Sequence, residues 1–304
     1  MNKSKDIKEK KTIKITVFEM LLTWIVLISI IAITLLVFNI FNSINSLVIG
    51  TILLTAICLI FKVNIELKFR EIPGWLLLIL LLALLFRAKP YFWVMGGQDQ
   101  GLYVNMSSYY ENYGSTFIKD RMRESLGDEK NKSFYDSLNQ YNIFRADLSK
   151  TYPKINLELL EKLSPSNINV LQHIEYSFHC AGIFIKDMEK SEYVFQFYPL
   201  HPLWISLFAK LAGSNNRVYS QVFFSLMTII LFYLIAFEFT GNNKAGYVVA
   251  FFLSINPLHA FFSKFPVSEI PSLFFSSGGF YFLIKFYNQR KKEVNLFYLY
   301  LSAG

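Results

Sequence analysis

Between Glu19 and Lys62 the chain runs for 42 residues without a charged side chain. As one helix this stretch would be about 63 Å long at about 1.5 Å per residue, twice the thickness of a bilayer core. The polar cluster Asn39, Asn42, Ser43, Asn45 and Ser46 near its middle marks a turn, so the stretch reads as two membrane helices, at residues 17–41 and 47–61. A third span is expected over 73–93, with Pro73 in its first turn, where a missing N–H costs little. Further spans are expected at 218–237, 245–263 and 270–284, and residues 296–304 read as the start of a seventh that stops abruptly, as in a fragment of a longer chain. Half of this protein has lipid for its solvent: 53% of the residues are hydrophobic, 17% are charged, and the mean hydropathy is +0.35.

The net charge of +8 sits in short clusters beside the apolar runs rather than on one face, which points to orientation in a membrane and not to nucleic acid. Residues 1–16 form a basic cytoplasmic N-terminus, and the run that follows is too long for a cleaved signal. Three crossings over 17–95 then place the long polar region after them outside, and the basic cluster Arg290, Lys291 and Lys292 inside requires three more. The segment 202–212 is too short to cross and is expected to be interfacial or re-entrant. Cys58 lies in an apolar run and Cys180 in the polar region, so no disulfide framework is expected. High Lys, Asn and Ile usage points to a bacterial plasma membrane.

Three segments carry chemistry. The first is Gly96-Gly97-Gln98-Asp99-Gln100-Gly101-Leu102-Tyr103, just outside the third span. Tyr103, Met106, Tyr110 and Tyr113 then recur at helical spacing, an aromatic stripe on a helix lying in the interface, so residues 96–113 form an outer loop and interfacial helix. Asp99 either caps this helix or lines a site. The second is Phe262 to Pro271, which also faces outward; Ser268 and Glu269 either cap the next span or place a second carboxylate at the same membrane level. The third, Phe195-Gln196-Phe197-Tyr198-Pro199-Leu200-His201-Pro202-Leu203, leads back to the membrane. Its aromatics suit an interfacial belt, and His201 suits a phosphate or an acceptor group. Arg87 and Lys89, at the outer end of the third span, either snorkel to headgroups or bind an anion there, and Lys264 either neutralises Glu269 or serves an anion.

The order of an outward Asp-x-Gly-x-Tyr after a span, an aromatic-Pro re-entry and a Ser-Lys/Arg-Phe-x-x-Ser-Glu between later spans resembles the GT-C glycosyltransferases, which include protein O-mannosyltransferases and lipid A aminoarabinose transferases. The resemblance covers about residues 87–113 and 195–287. It implies an α-helical polytopic membrane protein with a GT-C-like bundle and a large extracytoplasmic first-loop insertion of mixed α/β character at 114–197, with residues 198–304 holding the re-entrant segment and the later helices. It also implies transfer of a sugar from a polyprenyl phosphate in the membrane to an extracytoplasmic acceptor, with inversion. Asp99 would then be the base or acceptor-orienting group, Glu269 would line the same cavity, and Arg87, Lys89, Tyr103, His201 and Lys264 would serve substrate and phosphate. The chain has one Asp where the family carries an acidic pair, and its insertion is longer than the usual first loop.

No nucleotide fingerprint is present, which agrees with a lipid-linked donor. His173, His179 and Cys180 lack a fourth ligand and a known metal spacing, so no metal site is expected there; a divalent ion stays open because the family uses one in some branches. Residues 181–185 followed by 193–195 read as a hairpin returning to the membrane. Two other readings share the spans: a flippase for lipid-linked sugars, which predicts repeated helix blocks and mid-bilayer charges found nowhere in the sequence, and a non-enzymatic membrane protein whose outer domain binds a ligand.

Overall fold

A computed structural model describes residues 14–66, 74–92, 98–119, 178–180, 182–187, 192–288, 298 and 302. The first helix, α1 (Val17–Val37), opens on a capping box: the Thr16 hydroxyl accepts from the Glu19 amide at 3.2 Å, and the Glu19 carboxylate accepts from the Thr16 amide at 2.8 Å. It ends where Asn39 takes a positive φ of 58°. The second, α2 (Ser43–Ile60), starts four residues earlier than expected, because Asn42 is its N-cap and accepts from the amides of Ile44 and Asn45 at 2.9 and 3.1 Å. The turn predicted between the two helices is thus present, but Ser43, Asn45 and Ser46 belong to the helix that follows it.

The third helix, α3 (Gly74–Arg87), is shorter than its expected span of 73–93. Pro90 lacks an N–H and restricts the residue before it, which explains why the helix does not extend to Trp93. Next come the helix expected after the third span, α4 (Gln98–Tyr113), whose Tyr103, Met106 and Tyr110 are buried within the protein, the short apolar α5 (Leu200–Ala212), and the long α6 (Tyr219–Thr240). The span expected at 245–263 is two helices, α7 (Asn243–Ile255) and α8 (Pro257–Phe262). Asn256 leaves the helix at ψ 121° and its side chain caps α8 through the His259 amide at 2.9 Å, while Pro257 cannot continue the α7 ladder. Last is α9 (Glu269–Asn288). Among the described residues α1, α2 and α6 are long and apolar enough to cross a membrane, with α3, α5 and α7 shorter apolar helices.

Polar contacts gather at two levels. At one, Lys285 of α9 bridges Glu19 of α1 and Glu238 of α6 at 3.0 Å each, and the Tyr281 hydroxyl donates to Glu19 at 3.1 Å. The strands β1 (Lys14–Thr16) and β2 (Asn64–Glu66), paired in parallel, join the N-terminus of α1 to the chain after α2 at this same level. At the other level, Leu36 and Phe41 pack with Leu102, Tyr103, Met106 and Tyr110 of α4, and the Phe41 amide donates to the Gly114 carbonyl at 3.2 Å. So α1 runs toward the α4 level while α6 and α9 run away from it, the alternation that successive crossings require. Leu77, Leu78, Leu81, Leu84 and Leu85 of α3 and Ile52, Leu59 and Ile60 of α2 stay exposed, the surface a bundle presents to acyl chains.

The short α5 lies along α4 and fills the space between it and the bundle. Ser206 donates to the Ser107 carbonyl at 2.6 Å, and on the other side Trp204 donates to the Ser29 hydroxyl of α1 at 2.9 Å. Arg217, just before α6, fastens that end through the hydroxyls of Ser107 and Ser108 and the carboxylate of Glu111.

Four strands form an antiparallel sheet: β3 (Phe117–Lys119), β4 (Phe178–Cys180), β5 (Ile183–Asp187) and β6 (Glu192–Phe195), in the order β3-β6-β5-β4. The expected hairpin is β5–β6, with Phe184 opposite Val194. Residues 120–177, the basic N-terminus, His173, the side chains of His179 and Cys180, and the cluster Arg290 to Lys292 lie outside the description.

Close approach of α1 and α2 depends on Gly50, where a Cβ would stand 2.8 Å from Ile28 Cγ1. Gly50→Leu is expected to lower stability by about 1–3 kcal/mol through overpacking. Thermal unfolding in detergent checks it, with Ile28→Ala in the same chain recovering part of the loss.

Candidate functional site

The N-terminus of α4 and the N-terminus of α9 meet at one phenol. Asp99 is the second residue of α4 and is exposed; one turn further on, Tyr103 is buried and its hydroxyl donates to Ser268 Oγ at 3.1 Å. Ser268 immediately precedes Glu269, the exposed first residue of α9. The Tyr103 hydroxyl ionises above its usual range: burial raises it, the Ser268 hydrogen bond acts the other way, and the charges of Asp99 and Glu269 both add to the rise. Two carboxylates 170 positions apart in sequence therefore act on the same group. Both lie in the first turn of a helix, where a negative charge is favoured by the helix dipole, but neither occupies an N-cap position.

The Tyr103 ring is held on two sides. It stacks on Phe197 with centroids 4.7 Å apart and meets the His201 ring edge-on at 4.9 Å. His201 is buried at the start of α5, and its Nε2 lies 3.0 Å from the amide nitrogen of Gln221, which also donates to the Val267 carbonyl. Burial pushes the His201 pKa down to about 3, and the neighbouring Pro266 carbonyl only partly opposes this; Nδ1 makes no hydrogen bond of normal geometry. The ring is uncharged at neutral pH, so it offers geometry and no positive charge. Exposure at an interfacial belt, the other reading of this segment, fits Tyr198 but not His201.

The segments that carry Lys89 and Lys264 are joined through the backbone. The Tyr91 amide donates to the Lys264 carbonyl at 2.7 Å, and the rings of Tyr91 and Phe265 pack at 5.1 Å. Lys89 is exposed and Lys264 half-buried, beside the segment that carries Ser268 and Glu269. Lys264 does not neutralise Glu269: among the described residues the two form no ion pair, because the turn at residues 263–267 separates them.

Arg87 is a correction to the expectation that it snorkels to headgroups. It is fully buried at the end of α3: Nε donates to the Ser225 hydroxyl at 2.6 Å, Nη1 to the carbonyls of Ala83 and Ser254 at 2.8 Å each, and Nη2 to His259 Nδ1 at 2.8 Å. Guanidinium only donates, so Nδ1 is the acceptor. Three of its contacts, the carbonyls of Leu253 (3.4 Å) and Ser254 and the ring of His259, lie at the C-terminal end of α7 or on α8, where helix carbonyls favour a cation. Binding a phosphate would require Arg87 to give these up.

The sheet is docked onto the same level by a close contact. Gly182 has a φ of +82°, and a Cβ on it would sit 2.0 Å from Leu102 Cδ2 on α4. Gln221 is the residue of this site that the motifs did not single out. Its signal was a lone carboxamide in an apolar run, the kind of residue that lipid or core surroundings tolerate only with partners.

Residues 192–304, a little over a third of the chain, match the family model described as dolichyl-phosphate-mannose-protein mannosyltransferase, a GT-C family. The matched part holds His201, Gln221, Lys264 and Glu269 and begins well after the first motif; Asp99 and Tyr103 lie outside it. The match agrees with the resemblance drawn from the motifs, and the helices long and apolar enough to cross a membrane agree with it as well. No curated protein and no solved structure matches the chain.

Arg87→Met is expected to lower the melting temperature sharply, since it leaves buried carbonyl and hydroxyl partners unsatisfied at about 1–3 kcal/mol each. Lys89→Met, at an exposed position, is expected to leave it unchanged; differential scanning fluorimetry in detergent separates the two.

Proposed function

We propose that this protein transfers a sugar from a polyprenyl-phosphate donor to an acceptor on the outer side of a bacterial plasma membrane, with inversion at the anomeric carbon. The observation that carries the reading is the meeting of Asp99, Tyr103, Ser268 and Glu269 at the end of a membrane helix bundle, on a chain whose later part matches a mannosyltransferase family. Positive-inside orientation puts the Glu19 level in the cytoplasm and this site outside.

In this reading Asp99 is the base. It is exposed on the outer helix, where an acceptor hydroxyl arriving from the aqueous side meets it first, and its carboxylate takes the proton as the oxygen attacks the anomeric carbon. The bond to the lipid phosphate breaks on the opposite face of the sugar ring. Glu269, across the Tyr103 phenol, orients the sugar or the acceptor through its hydroxyl groups. The leaving phosphate needs positive charge, and Lys264 and Lys89 lie on the two segments joined at Tyr91 and can supply it. The isoprenoid tail would lie against the exposed apolar helix faces. The insertion selects or covers the acceptor, since its sheet rests on the helix that carries Asp99.

The test is transfer of label from a radiolabelled polyprenyl-phosphate sugar to a cell-envelope extract, in membranes carrying the protein. Wild type is expected to transfer, and Asp99→Asn and Glu269→Gln to lose about 10²- to 10⁴-fold, the usual contribution of a positioned acid or base. Parallel arms with EDTA and with Mg²⁺ or Mn²⁺ read any need for a divalent ion, because paired carboxylates are ligands of the type hard cations take. Activity no higher than in empty membranes, or indifferent to Asp99, refutes the reading.

A further inference from the structure

Gln221 lies in the first turn of α6 with none of its surface exposed, and its side chain is the link between parts of the site that come from distant sequence. An uncharged carboxamide in such surroundings costs free energy unless its hydrogens are used, and a leucine would fill the space more cheaply. Both hydrogens on its nitrogen have acceptors. One points at the Val267 carbonyl, next to Ser268, and the other at His201 Nε2, 3.0 Å away. The amide oxygen has no partner among the described residues, so the two donor contacts alone fix its orientation; a flipped amide would set oxygen against the carbonyl and against the lone pair of Nε2. With Nε2 accepting, the histidine proton is on Nδ1, and the ring is locked in the plane that meets Tyr103 edge-on.

We propose that Gln221 is a positioning residue: by clamping His201 and the segment that ends in Ser268 and Glu269, it sets where the Tyr103 hydroxyl stands between the two carboxylates. The chain of contact is continuous. Gln221 holds Val267, Val267 adjoins Ser268, Ser268 accepts from Tyr103, Tyr103 lies one turn from Asp99, and the His201 ring held by the same amide closes the loop against Tyr103. Loss of the amide leaves each helix intact but frees the relative position of Asp99 and Glu269, to which a transfer reaction is sensitive on the scale of about 1 Å. The proposal rests on the transferase reading.

The experiment uses the full chain in membranes and in detergent, with Gln221→Glu, Gln221→Met, Tyr103→Phe and the double variant Gln221→Met with Tyr103→Phe. Gln221→Glu keeps shape and volume but leaves at most one donor, so it cannot hold His201 and Val267 together, and it carries the test where methionine fails to fold. Expected is a fall in kcat of roughly 10- to 100-fold, with KM for the polyprenyl-phosphate sugar within about twofold and the amount of folded protein unchanged. The double variant is expected to be no slower than the slower single one, because both changes break one unit. Active wild type with kcat retained in either Gln221 variant overturns the proposal, as does a loss that tracks the loss of folded protein or a double variant whose losses multiply. Wild type without transfer instead refutes the transferase reading, and the positioning role with it.

Discussion

Lipid offers no hydrogen-bond partner, and that constraint arranges everything polar in this protein. Over the long uncharged run the backbone must satisfy itself in helices, and most polar side chains inside the bundle bond back to the helix, as Thr23 and Ser29 do, or pair with one another. Among the described residues, charged side chains of the bundle gather mainly at two levels. At one, Glu19, Lys285 and Glu238 tie three helix ends together; at the other, Asp99, Glu269, Lys89, Lys264 and Arg217 gather around the end of the bundle. A site at the second level is what remains once the interior has been made apolar.

Arg87 shows how a cation survives in that interior. Its charge has no carboxylate partner among its recorded contacts; it is spread over hydroxyl, carbonyl and imidazole acceptors at the end of α7, where helix carbonyls are otherwise unpaired. This ties α3, α6, α7 and α8 together beside the segment that carries Lys264. Arg87, expected either to snorkel or to bind an anion, thus acts as a brace, and Lys89 and Lys264 beyond it are exposed and half-buried.

The outer layer is built to keep the site in register. Helix α4 rests on α5, Ser206 and Arg217 fix its polar face, and Leu102 receives the close contact of Gly182, so the insertion, the surface helix and the bundle share one surface. Tyr103 is where these supports converge. A phenol bonded to Ser268 and flanked by two acids has its place fixed by packing on Phe197 and His201 rather than by its own chain alone.

The sequence by itself determined that this is a helical membrane protein, where its first helices turn, that a helix follows the third span, and that a hairpin follows the insertion, because charge spacing, caps and periodicity are local properties that lipid and water read directly. It also held Asp99, Tyr103, His201 and Glu269 as candidates, since polar residues at a span boundary stand out. Only the tertiary structure decided that Tyr103 meets His201 and Ser268 between the helix ends that carry Asp99 and Glu269, that Arg87 turns inward, that Lys264 and Glu269 form no ion pair, that the 245–263 run breaks at Asn256 and Pro257, and that Gln221 joins the pieces. The physical reason is that a side chain's partner across 50 or 150 residues of sequence depends on how helices pack and rotate against one another, and no local pattern encodes that rotation.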